Sequence, residues 1–172
     1  CRFDVVRGDA IPWGNLSDYQ GILLSPGPGL PSEACGQMEL IQAAAATHSI
    51  LGVCLGHQAL AEFFGGRLRR IEHPFHGHDS PIRLTEPDEP FWKGVPNDAV
   101  VGRYHSWVVE DTDLPDCLIP TAWSDDDGVL MAMRHKLLPH YGVQFHPESI
   151  ISDCGERLIR NWLDIATQIR KT

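Results

Sequence analysis

Residues 50–60 read ILGVCLGHQAL. The apolar run 49–53 stops at a cysteine, and a helical pattern spans about 55–65. A continuous apolar run of this kind reads as a strand covered on both faces, as in a parallel sheet. Cys54 then stands on a tight strand-to-helix turn, with Gly52 and Gly56 where side chains would collide. This is the logic of the G-x-S-x-G nucleophile elbow with cysteine in place of serine. The turn holds the thiol at the carboxyl end of the sheet, where α/β proteins build their sites. The helix N-terminus there favours thiolate, and the Leu55 N–H points where an oxyanion would form. A buried cysteine between two packing glycines fits the same five residues, so the functional reading needs a base from elsewhere in the chain.

Working outward, RFDVV (2–6) and YQGILLS (19–25) read as strands, and 32–47 as a helix. Ser32 can cap that helix, Glu33 suits its first turn, and Met38, Ile41 and Ala45 form its apolar stripe. The second half carries short strand candidates at 67–73, 80–84, 99–106, 118–124, 128–135 and 140–145, with DDDG (125–128) as a hairpin turn. An amphipathic helix near 153–170 closes the chain. Asp153 and Glu156 have capping-box spacing, and Leu158, Trp162, Ile165 and Ile169 form its buried stripe. Strand, helix, strand, helix followed by short strands predicts an α/β fold. Its sheet is open, twisted and mostly parallel, flanked by helices, with additional antiparallel strands. With no linker in sight, residues 1–172 form one domain.

Composition narrows the function. The net charge of −9 argues against a nucleic-acid partner. The five cysteines are odd in number and include no CxxC, which points to a reducing compartment, the cytoplasm. No apolar run approaches the roughly 20 residues that cross a bilayer, so no membrane role is expected.

The base comes from GVQFHPES (142–149). Residues i and i+2 of an extended segment face the same way, so His146 and Glu148 can project together from a strand end. A carboxylate beside the imidazole sets its tautomer and orientation, as a Cys–His pair requires. A solvated histidine with an unrelated glutamate would also fit this stretch alone; the cysteine elbow at another strand end favours the triad. A third strand end carries LSPGPGLPSE (24–33), a stiff loop presenting backbone N–H groups, suited to a second oxyanion donor and a small polar substrate. The Walker phosphate-loop spacing is absent, and a plain turn before a capped helix is the simpler reading.

Together, SPGPG, GVCLGHQA, RYHS and FHPES resemble the class I, triad-type glutamine amidotransferases, from about residue 2 onward. Within them they look like the glutaminase component of anthranilate or aminodeoxychorismate synthase. The resemblance implies a flavodoxin-like sheet and a glutaminase that hydrolyses L-glutamine through a cysteinyl thioester. The ammonia would go to a chorismate-binding synthase subunit or fused synthase domain. It implies Cys54 as nucleophile, His146 as base and Glu148 as its orienting group. Gly27, Gly29 and Leu55 would form the oxyanion hole. Gly27, Pro28, Gly29, Gln58, Ser106 and Trp107 would contact glutamine, Trp107 standing where the family usually has leucine. No cofactor and no metal is implied. The family opens with a strand, a loop and a helix ahead of the segment matching CRFDVV, so the resemblance implies a longer native N-terminus.

Other histidines are assigned more plainly. His73, His76, His78 and Asp79 read as a loop or partner-facing surface rather than a zinc site. His57 reads as packing at a partner surface and His105 as structural. A free-standing γ-glutamyl cysteine hydrolase and a catalytically silent regulatory module of the same fold are the competing readings.

Overall fold

The structure, a computed structural model, describes residues 1–168. Its strands are β1 (Gly21–Leu24), β2 (Ser49–Val53), β3 (Leu68–Arg70), β4 (His78–Leu84), β5 (Val100–Arg103), β6 (Trp107–Val109), β7 (Leu118–Ser124), β8 (Leu130–His135) and β9 (His140–Val143). Its α-helices are α1 (Gln37–Ala44), α2 (Leu55–Phe63) and α3 (Gly155–Gln168). Seven strands form one sheet in the order β1-β2-β9-β8-β7-β4-β5, and β3 pairs with β6 apart from it.

The register brings the motifs together. β1, β2 and β9 run parallel, with Leu24 opposite Gly52 and Val53 opposite Val143. Their carboxyl ends therefore coincide. The glycine loop, Cys54 and the segment leading to His146 leave the sheet side by side, although Cys54 and Gln144 are 90 residues apart in sequence. β2 is buried along its whole length. Leu51 and Val53 join the core that includes Leu158 and Trp162 of α3, while Ile50 joins the core that includes Ile41, Ala59 and Leu60 of α1 and α2. Alternate residues thus serve opposite faces, as pleating requires.

Four expectations change. The α/β architecture with added antiparallel strands stands, but the parallel share is smaller than expected. Among the described residues, only β1–β2 and β2–β9 are parallel pairs; β9–β8, β8–β7, β7–β4 and β4–β5 are antiparallel. Short links such as 125–128, with Gly128 at φ 68°, can join only antiparallel neighbours. The expected strand at 2–6 does not form: Phe3 and Val5 are 78% and 89% exposed. Asp4, Val6 and Arg7 line a cavity of about 730 Å³ together with Gly21–Leu24, and among the described residues this segment has no ladder partner. The expected helix 32–47 is broken. A 3-10 turn spans Pro31–Glu33, then Gly36 takes φ 70° where a side chain would strike the Gly8 carbonyl, and α1 begins at Gln37. Glu33 accepts the Leu30 N–H at 2.8 Å, and Ser32 makes no cap bond. The segment 99–106 holds only β5, because the chain leaves the sheet after Arg103 and re-pairs as β6.

In α3, Leu158, Trp162 and Ala166 are buried and Ile165 is half-buried; Ile169 lies outside the described residues. The helix begins at Gly155, two residues after Asp153, and a side chain at Gly155 would enter the Pro147 carbonyl. The start of α3 thus lies close against the His146–Glu148 segment. Among the described residues, no helix is long and apolar enough to cross a membrane.

Candidate active site

Cys54 caps the start of α2 at φ 50°, ψ −100°, the only non-glycine positive φ among the described residues. Such a conformation costs about 1–3 kcal/mol and persists only where surroundings enforce it. Here they do. A Cβ on Gly52 would enter the Gly56 carbonyl and come within 2.7 Å of the His57 nitrogen. A Cβ on Gly56 would meet the Leu24 carbonyl and lie 2.6 Å from the Leu24 Cβ. The Cys54 N–H donates to the Val143 carbonyl at 2.8 Å, clamping the elbow between β2 and β9.

Cys54 is 7% exposed, and burial pushes its thiol up to about 11. The Glu148 carboxylate pushes the same way, while hydrogen bonds from the Leu55 N–H and the Gln144 amide pull it down. The helix N-terminus does favour thiolate through the Leu55 N–H, but desolvation outweighs it. The Leu55 N–H faces the sulfur.

His146 Nδ1 lies 2.7 Å from Glu148 Oε1. Its Nε2 is buried and makes no hydrogen bond. A carboxylate only accepts, so the Nδ1 atom carries the proton and the Nε2 lone pair is free to take one. The backbone is fixed on both sides: the His146 N–H donates to the Gly102 carbonyl at 3.0 Å, and Ser152 Oγ donates to the His146 carbonyl at 2.6 Å. The Tyr104 ring lies beside the imidazole, tilted by 58° with centroids 4.9 Å apart, and its hydroxyl is 3.0 Å from Ser149 Oγ.

Within the glycine loop, Gly27 reaches the elbow at Leu55. A Cβ there would lie 2.8 Å from Leu55 Cδ2, and Gly27, Pro28 and Leu55 border the same cavity. Gly29 turns the chain at φ 80° against the Glu33 carboxylate. Gln58 is buried with its amide engaged: Nε2 donates to the Trp107 carbonyl at 2.8 Å and to Gln144 Oε1 at 3.1 Å. Ser106 and Trp107 are half-buried, and the Ser106 carbonyl accepts the Ile71 N–H at 3.0 Å.

His57 is fully buried, not at a surface. Burial takes it down to about 4, and it packs under Gly142, where a Cβ would come within 2.6 Å of its Nδ1. His105 accepts from Arg103 Nε at 3.2 Å and is held down to about 3, first by burial and then by the Arg103 charge. His78 lies tilted against Phe75, ring centroids 5.1 Å apart, and sits 4.0 Å from Asp126, and His76 meets Tyr104 edge-on.

Two features escaped the sequence reading. One is Gln144, 3.6 Å from the Cys54 sulfur. A polar residue inside the apolar run GVQF was its only signal. The other is Arg103, fully buried, bonded to Asp127 at 3.1 and 2.9 Å and lying 3.7 Å from the Phe75 ring centre.

A family model described as glutamine amidotransferase class-I matches residues 1–166. Over 165 residues the chain is 45% identical to the anthranilate synthase component 2 of Pseudomonas aeruginosa, covering 92% of this chain and 81% of that protein. It is 44% identical over 161 residues to the aminodeoxychorismate synthase component 2 of Escherichia coli, covering 92% and 84%. The crystal structure of a protein from Thermoplasma acidophilum, described as one subunit of a GMP synthase, superposes with a TM-score of 0.84 at 27% identity, covering 98% of this chain and 82% of that one.

Proposed function

The chain belongs to the class-I glutamine amidotransferase family, and from that premise we propose that Cys54 hydrolyses the side-chain amide of L-glutamine, releasing ammonia for a chorismate-binding synthase subunit or fused domain. The observation that carries the reading is the pairing at two adjoining strand ends. A strained cysteine elbow sits on one, and a histidine whose far nitrogen is held by a carboxylate sits on the other.

With the thiol protonated at rest, the first step is a proton transfer to His146 Nε2 as Sγ attacks the amide carbon. The C=O electrons move onto oxygen, which the Leu55 N–H and the Gly27 end of the loop, with Gly29 at its turn, are disposed to receive. Collapse breaks the C–N bond, and His146 returns the proton to the departing ammonia. Water, giving its proton to His146, then opens the thioester to glutamate. Glu148 keeps the proton on Nδ1 and stabilises the imidazolium. Pro28, Ser106 and Trp107 wall the substrate, and Gln58 orders the wall through the Trp107 carbonyl. The absence of a CxxC and the five free thiols suit the cytoplasm.

Steady-state ammonia release tests this. Cys54→Ala abolishes it, and a variant that still hydrolyses glutamine removes the assignment. Addition of the synthase should raise the rate, since the buried, protonated thiol leaves room for a partner to shift the site toward its competent state. Equal rates with and without the synthase would remove that gating.

A further inference from the structure

We infer that Gln144 is a further catalytic residue: a pre-aimed hydrogen-bond donor to the Cys54 sulfur, with its orientation set by Gln58. The inference rests on Cys54 as the nucleophile.

Gln144 follows β9 and is fully buried. Its backbone N–H donates to the Met131 carbonyl at 2.8 Å, so the side chain hangs from a fixed strand end. The direction of its amide follows from a chain of donors and acceptors. The Trp107 carbonyl can only accept, and Gln58 Nε2 lies 2.8 Å from it. That turns the Gln58 NH2 inward and leaves its second N–H facing Gln144, whose Oε1 receives it at 3.1 Å. With its oxygen so used, Gln144 presents Nε2 to the sulfur at 3.6 Å. Flipping the Gln144 amide would set two NH2 groups face to face and turn an oxygen lone pair toward the sulfur. Every alternative arrangement loses a buried hydrogen bond, which is costly where no water reaches.

The chemistry needs such a donor. Sulfur gains negative charge as its proton leaves for His146, and again when the tetrahedral intermediate of thioester hydrolysis expels it. Both events occur at a site where burial and the Glu148 carboxylate oppose the anion. The Leu55 N–H has the oxyanion as a second claim on it. The Gln144 N–H, directed by its own network, serves the sulfur alone and favours the anion that Glu148 disfavours.

The test is the alkylation rate of Cys54 in the full chain, with iodoacetamide at pH 7–9, resolved by peptide mass from the exposed Cys35. Gln144→Met keeps an unbranched side chain of similar length and removes the donor. Cys54 alkylation should fall about tenfold at each pH, with the profile displaced upward by about one unit and Cys35 unchanged. A folded variant whose Cys54 reacts within about twofold of wild type overturns the inference, because a merely structural glutamine leaves thiol ionisation alone. The wild-type chain supplies an independent reading should the variant unfold. The side-chain amide resonances of Gln144 should move when Cys54 ionises or is alkylated, and resonances insensitive to both overturn the inference. Glutamine hydrolysis by Cys54→Ala would instead strike out the nucleophile, so the two failures are distinct.

Discussion

Gly56→Ala converts the elbow's crowding into a measurable loss. The new Cβ would stand 2.6 Å from the Leu24 Cβ and 2.9 Å from its carbonyl carbon, nearer still to the carbonyl oxygen. Two of those atoms are backbone and cannot rotate aside, so β1 or α2 must shift. Overpacking of this kind costs about 1–3 kcal/mol. For a chain of this size, at about 2–4 °C per kcal/mol, Tm should fall by roughly 5 °C. The catalytic loss should be larger than the loss of stability. Leu24 lies three residues ahead of Gly27, and Gly27 is already tight against Leu55, since a Cβ at Gly27 would come within 2.8 Å of Leu55 Cδ2. Under the proposed mechanism, displacing that loop removes an oxyanion donor, and such a loss costs about 10²–10³ in kcat. The assays are ammonia release and thermal unfolding, with Gly14→Ala as the control because a Cβ there meets nothing within 4 Å. A Gly56→Ala protein with wild-type kcat and Tm would refute the steric account of the elbow.

Asp127→Ala strands the fully buried Arg103. Breaking a fully buried pair costs about 3–5 kcal/mol; with the Asp127 side chain 33% exposed, a loss nearer to about 2 kcal/mol is expected in urea unfolding. In acid, His57, His105 and His140, held down to about 4, 3 and 4 by burial, are neutral in the folded chain. The unfolded chain takes up protons first, so their contribution is complete above about pH 6.5 and is lost as pH falls toward about 4. In alkali the sign reverses: the Cys54 and Cys154 thiols, both raised to about 11, contribute fully below about pH 9 and lose that contribution between about 9 and 11. Unfolding free energies measured across pH 4–11 should therefore form a plateau between about 6.5 and 9, and a curve still rising through either boundary would contradict these assignments.

Local sterics made much of the site legible in the chain. Gly52-x-Cys54-x-Gly56 after an apolar run admits few backbones, and the i, i+2 spacing of His146 and Glu148 sets both on one side of an extended segment. Both follow from neighbours in sequence. The opening strand failed for the opposite reason: RFDVV has strand composition, but a strand needs a ladder, and this segment lines a cavity instead of pairing. The helix expected from Ser32 broke at Gly36, where the obstacle is Gly8, a segment remote in the chain.

The sequence by itself determined the elbow, the histidine–carboxylate pair, the glycine loop and the family they point to, because each depends on residues a few positions apart. Tertiary structure alone decided that these motifs meet, through the common register of β1, β2 and β9. It also set the desolvation that pushes the Cys54 thiol up, since that depends on how much water reaches the sulfur. Gln144 acquired its part in the same way: a glutamine's amide has a direction only once Gln58 and the Trp107 carbonyl stand beside it.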